Sequence, residues 1–178
     1  MIRRLACFAA GALLLSGCIL HQNRYREPNV FDPTRGVTAA ECSVPVEFSG
    51  FINKSGSGVT FRYCDTVSVH QDEYSRWCLE PAVLVERAYL SALDASVTTG
   101  KPAVVSGELL KFEFDIGSKK AIFEARFIVE YAGKTRSFRQ KYSGELTDLE
   151  SKTAAFAMQR ILSQGAVDFR KQLIEIAR

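Results

Sequence analysis

The chain has 178 residues, 47% of them hydrophobic and 24% charged, with a formal net charge of +3. That balance lacks the strongly basic footprint of a nucleic-acid binder. Beyond the N-terminal apolar run, no stretch approaches the roughly twenty residues a transmembrane helix requires.

The first eighteen residues have the layout of a secretory signal peptide. Arg3 and Arg4 form a cationic start, Leu5 to Leu15 is apolar apart from Gly11, and Leu15-Ser16-Gly17-Cys18 resembles a bacterial lipobox. In such proteins residues 1–17 are removed and the cysteine is acylated, which makes Cys18 the expected mature N-terminus and lipid anchor. Cleavage takes Arg3 and Arg4 and no acidic residue, so the net charge falls from +3 to +1. Ile19 after the cysteine, where an aspartate would retain a Gram-negative lipoprotein at the inner membrane, favours the periplasmic face of the outer membrane. Residues 18–40 read as a lipidated, flexible linker containing Pro28, Pro33 and Gly36, and residues 41–178 as one compact domain.

Three short strands are expected first, over 43–51, 58–64 and 66–74, with a turn at Asn53 to Gly58 between the first two. Pro81 suits the first turn of a helix running to about Val97, with apolar residues at 82, 85, 88, 89, 92 and 93 on one face. The second half alternates with period two. Leu110, Phe112, Phe114 and Ile116 share one face, as do Ala121, Phe123, Ala125, Phe127, Val129 and Tyr131, and then Phe138, Gln140, Tyr142 and Leu146. A final amphipathic helix spans about 148–177. The order βββαβββα predicts an α+β fold in which an antiparallel sheet of about six strands carries two helices on one face.

With Cys7 removed and Cys18 acylated, Cys42, Cys64 and Cys78 remain, enough for one bridge and one free thiol or for three buried thiols. If the first two strands are antiparallel neighbours, Cys42 and Cys64 fall at the same end, and Cys42–Cys64 is the favoured pair.

Chemistry-bearing groups are few. His21 lies in the linker and His70 on a strand, so a Cys64–His70 pair is outweighed by a solvated strand histidine. No HExxH, CxxC or clustered ligand spacing occurs, and no metal site or cofactor is expected beyond the lipid on Cys18. Gly133-Lys134-Thr135 lacks the earlier glycine of a phosphate loop, since Ile128 stands there, and reads as a hairpin turn. Asp72 and Glu73 are strand neighbours and point apart. Lys111, Lys119, Lys120, Lys134, Arg136, Arg139 and Lys141 read as solvated faces before they read as a site for anionic headgroups or an acidic partner. The run from Gln71 to Pro81 is the remaining candidate. Trp77, the only tryptophan, is expected chiefly to plug the core, while Tyr74, Arg76 and Trp77 form the candidate partner interface if exposed.

At this run the sequence resembles the ABC-type transport auxiliary lipoproteins, which include the lipoprotein component of the paraquat-inducible (Pqi) intermembrane transport system. The resemblance lies in Phe61-Arg62-Tyr63, Tyr74, Arg76-Trp77, Pro81 with Leu90 and Leu93, and the strand Val105 to Glu113 that contains Gly107-Glu108-Leu109-Leu110-Lys111-Phe112-Glu113. It covers about residues 42–178 and the lipobox. It implies an α+β domain acting as a non-catalytic envelope subunit with an ABC permease, its ATPase and a mammalian-cell-entry (MCE) type lipid-transfer protein. It further implies a homo-oligomeric ring around the end of a partner tube. An envelope lipoprotein that regulates another machine, such as a peptidoglycan synthase, is the alternative.

Overall fold

The computed structural model describes residues 26–94 and 100–177. Among the described residues nine strands and two helices follow in the order β1 (Asn29–Phe31), β2 (Ala40–Glu41), β3 (Val46–Asn53), β4 (Thr60–Cys64), β5 (Val69–Trp77), α1 (Pro81–Ser91), β6 (Leu93–Asp94), β7 (Ala103–Asp115), β8 (Lys120–Tyr131), β9 (Lys134–Glu145) and α2 (Ser151–Ala177).

The meander β7–β8–β9 is antiparallel and continuous, as its short turns between alternating strands predict. Asp115 pairs with Lys120, Val104 with Glu130, and Tyr131 with Lys134, so every rung of the two hairpins is in register apart from one shift at Leu109/Lys111. Ala132 and Gly133, both with positive φ, form the two-residue turn into β9. The alternate residues Ala121, Phe123, Ala125, Phe127 and Val129 are fully buried.

The expectation of an all-antiparallel six-stranded sheet is overturned. The main sheet has seven strands and is mixed: β3 and β4 both run parallel to β7, and β1 runs parallel to β5, while β4–β5, β7–β8 and β8–β9 are antiparallel. Strand alternation reports which face a residue occupies and carries no information about the direction of the neighbouring strand. The stretch from Asn53 to Gly58, expected as a turn between the first two strands, lets the chain continue along β7 instead. Lys54 N–H donates to Leu109 O at 2.8 Å, and Ser57 Oγ–H donates to Phe112 O at 2.7 Å. Tyr63 and Cys64 then pair with Phe114 and Asp115. One broken strand thus covers a whole edge of β7. A second, two-stranded sheet joins β2 to β6 in parallel.

The parallel direction also removes the Cys42–Cys64 bridge. Cys42 precedes the first β3–β7 rung at Val46–Ala103, whereas Cys64 occupies the last β4–β7 rung at Asp115. Those rungs lie roughly 40 Å apart at about 3.3 Å per residue. Cys42, Cys64 and Cys78 are free thiols. Cys42 is buried with its Sγ 3.4 Å from Val44 O, and Cys64 Sγ lies 3.3 Å from Glu113 Oε2.

Both helices pack on the same face of the sheet. Tyr89 of α1, Phe169 of α2 and Phe127 of β8 meet with ring centroids 5.1–5.2 Å apart, and Phe138 and Phe48 close round them. The Tyr89 hydroxyl donates to Gln140 Oε1 at 2.5 Å, and Gln140 Nε2 donates to Gly165 O at 3.2 Å, which satisfies the polar atoms of this buried layer. A side chain at Gly165 would collide with that hydroxyl, since a Cβ there would lie 2.5 Å from it. Toward the other end of the sheet, Phe61, Tyr63, Trp77, Phe112 and Phe114 form a second aromatic cluster. The N-terminus of α2 reaches this end, where Ser151 Oγ lies 2.5 Å from Ser75 Oγ.

On the opposite face the acidic and basic side chains pair with one another. Arg126 meets Glu108 at 2.7 Å, Arg62 meets Glu113 at 3.3 Å, and Arg139 covers Glu124, which is buried beneath it. Lys134, Arg136 and Lys141 remain exposed on β9, the edge strand, where charge discourages pairing with foreign strands.

Candidate partner surface

Strand β5 splits the predicted interface in two. Ser75 and Trp77 point into the core, and Tyr74 and Arg76 point out. Trp77 is 3% exposed, its ring 4.2 Å from Phe61 and edge-on to Phe112 at 5.2 Å. It fills the core among Phe61, Phe112 and Phe114 and is withdrawn from the interface. Tyr74 is 49% exposed and carries the Arg26 guanidinium 5.6 Å above its ring. Arg76 Nε–H donates to Glu73 O at 3.3 Å and leaves the guanidinium in solvent.

Beside Arg76 lies Val30 of β1, its register partner, which is 62% exposed. Sequence reading placed this segment in the linker. The signal available there was Val30-Phe31 enclosed by Pro28 and Pro33, two apolar residues too few to show a period.

Helix α1 starts at Pro81, whose missing N–H costs nothing at the first position, and Glu80 O accepts from Leu84 N–H at 3.0 Å. Ala82, Leu84, Val85, Ala88 and Tyr89 form its buried stripe. The helix stops at Ser91, short of the expected Val97, because the backbone turns into β6 and pairs with β2. Val83 and Leu90, seven residues apart and therefore on one side, are left on its outer face. With Leu79 they extend the uncovered apolar surface from Val30.

Arg87 stands in the middle of this surface and lines both of its hollows. One, of about 470 Å³, is bounded also by Val30, Phe31, Asp32, Arg35, Cys78 and Leu79; the other, of about 470 Å³, by Val83, Glu86, Leu90 and Ser91. Asp32 lies 3.8 Å from Arg87 and 3.7 Å from Arg35. Burial alone would raise its pKa, but the Thr34 hydroxyl and amide, then Arg87 and Arg35, outweigh it and hold the carboxyl below its ordinary value. Burial pushes the Cys78 thiol up, and the Asp32 charge adds to that.

The remaining sequence candidates disperse. Cys18 lies outside the described residues. His70 is exposed, bonded through Nε2 to Ser68 Oγ at 2.9 Å, and its register partner is Tyr63 rather than Cys64. Asn53 serves its own turn, accepting from Ser55 N–H and Oγ–H and donating to Ser57 O at 2.7 Å. Among the described residues no group of three or more His, Cys, Asp or Glu could hold a metal ion. No described helix is long and apolar enough to cross a membrane. This arrangement supports contact with another macromolecule through an apolar strip punctuated by arginines.

Several solved structures resemble this fold, two of them as follows. An uncharacterized protein superposes with a TM-score of 0.57 at 6% sequence identity, over 76% of this chain and 98% of that one. Protein XCC0632 from Xanthomonas campestris, described as DUF330, superposes with a TM-score of 0.57 at 15% identity, over 82% of this chain and 95% of that one. At such identities the likeness is one of fold. No protein-family model and no curated protein matches the sequence.

Proposed function

We propose that this chain is an outer-membrane lipoprotein, anchored through Cys18, that serves as a non-catalytic accessory subunit of an ABC/MCE-type intermembrane lipid transport system. The likeness to the DUF330 protein supports the fold on which this reading rests. The observation that carries it is the pairing of a lipobox-like start with an open surface close behind it. Val30, Leu79, Val83 and Leu90 stand uncovered around Arg87, and Tyr74 and Arg76 are exposed on β5 next to Val30. Aromatic and arginine side chains, such as Tyr74, Arg76 and Arg87 offer, are enriched at protein interfaces.

The tether places that surface near the membrane. Asn29 is eleven residue steps from Cys18, a span of at most about 36–40 Å when fully extended. The partner would be the MCE-type protein or its permease, with ATP hydrolysis in another chain.

A photoreactive amino acid at Tyr74, Val83 or Leu90, with crosslinked partners identified by mass spectrometry, tests the reading. Capture of an MCE-domain protein is expected from all three. Capture of a penicillin-binding protein with no MCE protein would replace the reading with that of a cell-wall regulator.

A further inference from the structure

We propose that Asn29–Val37 is a detachable strap that gives the anchored domain two tether lengths. The inference rests on the lipid-anchor reading above and extends it to the regulation of reach. The strap crosses the molecule on a small number of contacts to three different elements. On the sheet, β1 pairs with β5 over three residues, and Phe31 O accepts from the Cys78 amide at 2.9 Å. Phe31 sets its ring 5.2 Å from Phe61. On α1, Asp32 meets Arg87 at 3.8 Å. On α2, Arg35 O accepts from Gln159 Nε2.

These holds are weak by their nature. β1 is short and parallel, and two of its three residues are exposed. Arg35 is exposed as well. Pro33, Thr34 and part of Phe31 supply most of the buried surface, and the Asp32 side chain folds the turn locally by accepting from Thr34 N–H at 3.0 Å and Thr34 Oγ–H at 2.7 Å. The next fixed point is of another kind. Ala40 N–H donates to Ala92 O at 3.2 Å, β2 pairs with β6, and Cys42 and Val44 enter the core. Peeling therefore stops at Ala40.

The consequence for reach follows from covalent geometry. With the strap seated the tether is the eleven residue steps from Cys18 to Asn29. With it released the tether is the 22 residue steps to Ala40, which doubles the fully extended span from about 36–40 Å to about 73–79 Å. Release also opens the hollow over Cys78, since Val30, Phe31, Asp32 and Arg35 form part of its wall. Local openings of this kind, well below the free energy of global unfolding, are the expected behaviour of segments held by few buried contacts.

Native-state hydrogen exchange on the full chain tests the opening. The Cys78 amide, which depends on Phe31 O, is expected to be protected at least 100-fold less than the amides of β7 and β8, with no dependence on low urea. Phe31→Ala should speed its exchange about tenfold further, and Arg87→Gln about threefold, with the Cys78 amide still exchanging at least 100-fold faster than those of β7 and β8. Cys78 protection equal to that of β7, with the same urea dependence, would overturn the strap.

The reach is tested with the acylated protein in vesicles carrying a dansyl-labelled lipid, with the single Trp77 as donor. Phe31→Ala should lower the transfer efficiency; unchanged transfer despite faster Cys78 exchange would overturn the two-length tether. Failure of the acylated chain to bind vesicles would instead overturn the anchor reading, while the exchange result on the strap would stand.

Discussion

The two halves of this domain achieve equal burial by different means. From Ala103 to Glu145 three long strands pair with their sequence neighbours in nearly unbroken antiparallel register. From Asn29 to Trp77 the strands are shorter, run in both directions and borrow the edge of β7 as a template. Yet Phe61 and Trp77 are as buried as Phe123 and Phe127. Regular pairing is one route to a dry aromatic core; broken strands aligned on one long regular strand are another. The second route leaves more loose ends, and the strap lies there with exposed Val30, Ile52, Val67 and Val69.

The comparison breaks first at the core. Phe127→Ala removes a fully buried ring that contacts Phe51, Tyr89, Phe138 and Phe169. It should cost about 3–5 kcal/mol in urea unfolding. Trp77→Ala in the irregular half should cost a similar amount, about 3–4 kcal/mol, with one transition in both variants if the halves fold as a unit. Two transitions in Trp77→Ala alone would show that the irregular half unfolds separately.

Gly107→Ala should follow, at about 1–3 kcal/mol. A Cβ there would stand 2.1 Å from the Arg126 backbone oxygen, so the β7–β8 rung must spread. A fully tolerated alanine would show that this register is softer than the paired backbone implies. Phe31→Ala should cost only about 1 kcal/mol, because the ring is half-buried to begin with.

What was legible in the sequence follows the same division. The period of two from Phe112 to Leu146, the turn at Ala132-Gly133 and the stripe of α2 are local patterns, and each stands in the structure. Val104 and Leu110, expected on the same face as Phe112, are not there, because the shift at Leu109/Lys111 puts Ala103, Val105 and Leu109 inside instead. The direction of β3 and β4 was hidden because a parallel neighbour is a long-range fact; their partner begins some fifty residues later, at Ala103. The error carried into the site. Taking β3 and β4 as a hairpin brought Cys42 and Cys64 together, when the parallel arrangement holds them at opposite ends. At the partner surface, a strand expected to end at Tyr74 left Tyr74, Arg76 and Trp77 grouped together, whereas β5 runs on to Trp77 and its alternation turns Trp77 inward. Val83 and Leu90 were readable as the outer side of a helix. Val30 and Phe31 were not, since three residues of edge strand show no period and their pairing with β5 is tertiary.

The smallest expected effect lies in the regular half and depends on pH. Asp168 of α2 accepts from Lys171 Nζ at 2.8 Å, from Gln164 Nε2 at 3.0 Å and from the Tyr142 hydroxyl of β9 at 2.8 Å. Lys171 and then Gln164 are the chief causes that hold its pKa at about 2, against an ordinary 3.8, and burial opposes them. A carboxylate whose folded-state pKa is lowered contributes stability that is fully present above its unfolded value and is lost as pH falls through its folded one. Its contribution should therefore be whole at neutral pH and fade between about pH 3.8 and pH 2. Asp168→Asn should lower the melting temperature slightly at pH 7, and the gap from the parent chain should close as the pH is taken down through that window. A gap that stays constant would mean that the helix is joined to β9 at this point by packing and neutral hydrogen bonds, with the charge immaterial. The irregular half offers a control in Asp32, which is held low by Thr34, Arg87 and Arg35. Asp32→Asn should show the same sign of pH dependence, but its loss should appear in the Cys78 amide before it appears in the melting of the sheet.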